Sequence, residues 1–214
     1  MLDLTELAAV NIMLQSIGET AVTSLSGSLP TDVSTAQSIL SELNAEFQHH
    51  GWSFNTRREV TLSPSGGSPN RTYLPYSSTV GDQVLPVPLK VIPRRRSQKY
   101  GIRRETSGTP RKWYLYDIVN DTDVIGKDIK VDITVGLNYE ELPHPARVYI
   151  ARSASRHFAE RILGEASQIL RTDEANAFAS FQKYEAETMD YRMSDAYGVY
   201  RAVGRQSPYD DYNS

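Results

Sequence analysis

Apolar residues recur at helical spacing near both ends of the chain and at strand spacing in its middle. Leu7, Val10, Leu14 and Ile17 form a stripe with the three- and four-residue steps of an amphipathic helix. Asp3 followed by Glu6 offers a capping box at its start, and Gly18 ends it. A second helix fits residues 31–50, with the stripe Val33, Ala36, Leu40, Leu43 and Phe47. Thr31 or Asp32 would cap it and Gly51 would terminate it. Helical spacing returns after Pro143 and Pro145, where Val148, Ala151, Ser155, Phe158 and Ile162 share a face until Gly164 interrupts. A fourth helix, from Thr172 to Arg192, carries Ala177, Phe181, Tyr184, Thr188 and Tyr191. None of these stripes is stable against water, so each needs a partner helix.

Between Trp52 and Leu142 the apolar period falls to two, and Pro, Gly, Ser and Thr become frequent. Trp52, Phe54, Val60 and Leu62 read as a strand leaving the helical part. Val84 to Leu89 holds two prolines, which removes ladder donors and suits an edge strand. Trp113 to Val119 is a strand candidate, and Ile129, Val131, Ile133 and Val135 alternate in another. Ser63 to Asn70 and Ser97 to Arg111 read as loops. The expected fold class is α+β. N- and C-terminal helices form an antiparallel bundle (1–52 and 143–194), a β-rich insertion (53–142) sits between helices two and three, and an extended tail (195–214) follows.

Charge changes this picture locally. Nine basic residues and one acid, Glu105, fall between Lys90 and Lys112, while the rest of the chain holds 14 basic and 25 acidic residues. A segment this basic within an acidic body calls for a charged partner or a neighbouring subunit. Arg94, Arg95, Arg96, Lys99, Arg103 and Arg104 are the candidates for contact with another protein or with DNA. There is no Cys, which removes disulfides and thiolate metal sites. No run of about 18 apolar residues occurs, so no membrane insertion is expected. The opening residues are acidic where a signal peptide would be basic, and synthesis in the host cytoplasm is expected.

Catalytic patterns are weak. His49, His50, His144 and His157 lack metal-ligand spacing, and no cofactor is expected. Asp121 to Asp128 lacks the closing Glu of a calcium loop and reads as a turn between strands. A glycan hydrolase would need two carboxylates about 5–9 Å apart with one in an apolar pocket, and no pair among the 26 acids is singled out. A small non-specific DNA-binding protein is the other alternative. After Gly198 the chain is polar and rich in tyrosine. Tyr197, Tyr200, Arg201, Arg205, Tyr209 and Tyr212 would make a docking arm, since Tyr covers area with few rotors and keeps a polar tip. Trp52 and Phe54 would pin the junction between the helical and β parts.

Four stretches carry a resemblance. They are Glu6 to Glu19, with A-V-N-x-x-L-x-S-I-G-E; Gln48 to Asn55, with G-W-x-F-N; Lys112 to Asp117 together with Asp128 to Ile133; and Glu141 to Phe158. In this order and spacing the sequence resembles the tail tubular protein A family of podoviruses, the head-to-tail adaptors also called gatekeepers or upper tail ring proteins. The resemblance implies a structural, non-catalytic homo-oligomer. It would be a dodecameric ring in the virion tail at the head–tail junction, between the portal protein and the tail nozzle (tail tubular protein B). DNA would pass through the lumen in non-specific contact, with the tail fibre as a further neighbour. The long basic segment and the C-terminal tail depart from some relatives.

Overall fold

The computed structural model describes residues 4–78, 87–95, 97–107 and 111–190. Helix α1 (Glu6–Ser16) starts at Thr5, whose hydroxyl accepts the Ala8 N–H, so the cap is Thr5 and not the expected Asp3, which lies outside the described residues. Helix α2 (Thr31–His49) follows Pro30, and neither Thr31 nor Asp32 serves as its cap, because both already lie in the first turn. Helix α3 (His144–Leu163) ends on Gly164 at φ 83°, a left-handed residue that only glycine adopts at no steric cost. Helix α4 (Gln168–Asp190) begins four residues before the expected Thr172.

The helices contribute to one apolar core. Val10, Met13 and Leu14 of α1, Val33, Ala36, Leu40 and Phe47 of α2, Ile150, Ala154 and Phe158 of α3, and Phe181 of α4 all meet there. The expected face of α3 is turned slightly. Ala151, Ser155 and Phe158 are buried, but Ile162, in the last turn before Gly164, is 41% exposed.

The middle of the chain forms six strands: β1 (Thr56–Leu62), β2 (Tyr73–Ser78), β3 (Val87–Pro93), β4 (Tyr100–Arg104), β5 (Arg111–Asp117) and β6 (Ile129–Gly136). They pair antiparallel in two sheets, ordered β1-β6-β3 and β2-β5-β4. The two sheets share a second core built from Leu62, Val91, Leu115, Ile129, Val131 and Ile133. The alternation read in β6 is thus what the sheet buries, and β6 is central while proline-bearing β3 is an edge. Two expectations are corrected. Residues 97–111 are not one loop, since β4 lies within them and pairs with β5. Trp52 and Phe54 are not in a strand: they sit in the turn before β1 and pack against the helical core.

Candidate functional site

The two cores meet where α2 gives way to β1. Gly51 turns the chain there at φ 84°, and a Cβ at this position would come within 3.0 Å of the Thr134 hydroxyl. Gln48, 1% exposed, donates its amide to the Leu137 carbonyl at 2.9 Å and accepts the Leu137 N–H at 2.7 Å. Asn55, also 1% exposed, donates to the carbonyls of Gln48 at 2.9 Å and Val135 at 3.0 Å, and accepts the Trp52 N–H at 2.8 Å. Both buried amides are therefore satisfied, Asn55 by backbone from both sides of the joint and Gln48 by the Leu137 backbone and the Asn44 side chain. Trp52 lies against Phe47 with centroids 5.0 Å apart and meets Phe181 edge-on at 4.8 Å, while Phe54 meets Phe181 edge-on at 6.4 Å. The Trp52 indole N–H donates to the Phe47 carbonyl at 2.8 Å. Helix α4 adds Glu185, whose carboxylate accepts the Ser53 N–H and hydroxyl at 2.6 and 2.8 Å. Gln48, Asn55 and Glu185 could not be read from the sequence, because polar residues in a helix or turn carry no sign of burial.

The basic residues do not form one surface. Arg94, just beyond β3, is held by Asp132 at 2.9 Å and Glu59 at 3.7 Å. The same Asp132 oxygen accepts the Glu59 N–H at 2.8 Å, fixing Glu59 at φ 55° in the bulge of β1. Arg95 is exposed and lines a cleft of about 430 Å³ with Gln98, Lys127 and Lys130. Lys99 is exposed between β3 and β4. Arg103 and Arg104 belong to the other sheet, where their guanidinium carbons lie 3.3 Å from the Tyr116 ring centroid and 5.4 Å from that of Trp113. Arg96 lies outside the described residues, as do all six candidates of the arm, Tyr197, Tyr200, Arg201, Arg205, Tyr209 and Tyr212.

The β2-β5-β4 sheet carries a feature that sequence reading missed. Register places Tyr73, Tyr114 and Tyr116 on one face with Arg103 and Lys112. Each ring has a cation beside it: Lys112 at 5.3 Å from Tyr73, Arg71 at 4.4 Å from Tyr114, and Arg103 on Tyr116. Arg71 is anchored to Asp123 at 2.7 Å, and the Tyr73 hydroxyl donates to Glu105 at 2.7 Å, a bond that raises the Tyr73 pKa. The alternation Lys112, Tyr114, Tyr116 was the available signal. Tyrosine and arginine are the residues that dominate protein interfaces.

A smaller cleft of about 210 Å³ lies among α2, α3 and α4, with Glu46, His50, Tyr149, His157 and Glu174 on its walls. Burial opposes ionisation of Glu174, but the Arg156 guanidinium and the Ser153 hydrogen bond outweigh it and hold its pKa below the ordinary carboxylate value. A general acid needs the opposite shift. Among the described residues, no group of three or more His, Asp or Glu is placed to hold a metal ion, and no helix is long and apolar enough to cross a membrane.

The helical core and the small two-sheet module are thus joined at one buried junction. The sequence profile of the tail tubular proteins matches residues 7–191, and the chain belongs to this family of phage tail structural proteins. It is similar to tail tubular protein A of Klebsiella phage KP34, with 24% identity over 177 residues, covering 82% of this chain and 83% of that relative.

Proposed function

We propose that the chain is a non-catalytic head-to-tail adaptor in the virion tail. It forms a dodecameric ring that joins the portal protein to the tail nozzle and surrounds the DNA channel. In this reading the helices (1–52 and 143–194) are an antiparallel bundle facing the portal, with residues 195–214 as a docking arm. The β module (53–142) faces the nozzle and the neighbouring tail fibre.

The locked junction is the observation that carries this reading. An adaptor must transmit load between two partners, and a joint made of satisfied buried amides and interlocked rings resists bending better than a flexible linker. The Tyr and Arg face of the β2-β5-β4 sheet supplies the composition of a protein contact at the nozzle-facing end. The glycan hydrolase alternative gains no support from Glu174, whose carboxyl is held ionised.

The test is co-assembly. The chain mixed with purified portal and nozzle proteins of the same phage is expected to give one complex containing all three on a sizing column. Removing residues 195–214 is expected to release the portal while leaving nozzle binding intact. Portal and nozzle that associate equally well without the chain would contradict the proposal.

A further inference from the structure

Part of the basic segment meets lysines from another segment around one concavity. The cleft of about 430 Å³ between the end of β3 and the start of β6 is lined by Arg94, Arg95, Gln98, Lys127 and Lys130, with Asp128 as the one acid on its wall. Arg94 is committed to Asp132 and Glu59 and so stiffens the wall. Arg95, Lys127 and Lys130 are exposed and form no ion pair with a described carboxylate. The antiparallel pairing of β3 with β6, in which Pro93 faces Val131 and the Arg94 N–H donates to the Lys130 carbonyl at 3.2 Å, fixes the two walls against each other.

Three cations held around one concavity repel each other, and a concave surface concentrates their field. An anion relieves that repulsion. Lysine presents a compact charge with three rotatable donors, which suits a tetrahedral group of oxygens, and arginine adds a planar fork. A peptide is a poorer occupant. Its binding energy comes mainly from apolar anchors filling pockets, and the only apolar residue on this wall, Ile129, is itself 3% exposed.

We infer that this cleft is a binding site for phosphate oxyanions, carried on a nucleic acid backbone or free in solution, with Arg95, Lys127 and Lys130 as the charged contacts and Gln98 as an amide donor. Its ligand chemistry stands independently of portal and nozzle binding.

The full chain is titrated with a short duplex DNA and, separately, with inorganic phosphate. Wild type is compared with Lys127→Gln/Lys130→Gln and with Arg161→Gln/Lys183→Gln, which removes equal charge from α3 and α4. The cleft variant is expected to weaken duplex binding about tenfold at low salt. It should also flatten the slope of log affinity against log salt by about 2, as roughly one counterion is released per contact. The helix variant should change neither. Phosphate should perturb the backbone amide signals of Gln98, Lys127 and Lys130 in the wild type and the helix variant, but not in the cleft variant. Phosphate binding with no tighter binding of duplex would identify a free ion as the ligand and keep the site. Equal losses in both variants, or no loss of either probe in the cleft variant, would overturn it. Because Lys127 and Lys130 are exposed, an unchanged melting temperature is expected for the cleft variant, and a lowered one would be met by repeating the comparison with Arg95→Gln.

Discussion

Gln48 couples the two cores through the backbone of one residue, Leu137. Its side chain, 1% exposed, takes both the N–H and the carbonyl of Leu137, and Asn44 reaches the same carbonyl only at 3.5 Å. Replacing it by Leu leaves the part-buried Leu137 N–H unpaired and its carbonyl with only the long Asn44 contact, at a cost of roughly 1–3 kcal/mol. Urea denaturation of Gln48→Leu should show that loss, and a change below about 0.5 kcal/mol would mean the joint is held elsewhere. Glu174 acts in the helical part alone. Its folded pKa lies below its unfolded value, so its stabilisation is complete above the ordinary carboxylate value and is lost as pH falls through the folded one. Glu174→Gln should be less stable at neutral pH by about 1–2 kcal/mol. Its thermal midpoint should also fall less steeply than the wild type's as pH drops from the ordinary carboxylate value through the lower folded one. Equal slopes for both proteins would contradict this assignment. Neither role could be read from sequence, where one glutamine and one glutamate look like any solvated helix residue.

At the scale of elements, Phe181 is the largest apolar anchor of α4, beside the Glu185 and Glu174 contacts. Phe181 is fully buried and touches Phe47, Trp52, Phe54 and Tyr184, so it joins α4 to α2 and to the turn that leads into β1. Phe181→Ala is expected to cost about 3–5 kcal/mol and to raise amide exchange along α4 before the rest of the chain. Uniform exchange across all elements would show that α4 does not come away as a unit. Phe181 was visible in the sequence because α4 keeps the helical period. The helices and β6 were legible for the same reason: one face of each is consistently apolar. Strand β4 was not legible. Gly101, Arg103 and Arg104 look like loop residues, and only pairing with β5 shows that Arg103 lies along a tyrosine ring. Trp52 and Phe54 have strand spacing, yet their burial comes from the helical core, and the turn at Gly51 and the Asn55 hydrogen bonds decide the backbone.

For the whole molecule, the charge split read from composition corresponds to a spatial one, but not the one expected. The basic segment divides between a cleft at one end of the β1-β6-β3 sheet and a tyrosine-lined face on the other sheet. Such a module offers two chemically different surfaces while the helices share a separate core. The proposed ring would have to close through complementary flanks rather than through a two-fold patch. The adaptor claim is tested most directly by the mass of the complex formed when this chain is added to its isolated portal ring. The account predicts a discrete complex carrying one chain per position of a dodecameric ring. A portal ring whose mass is unchanged at saturating chain would contradict it.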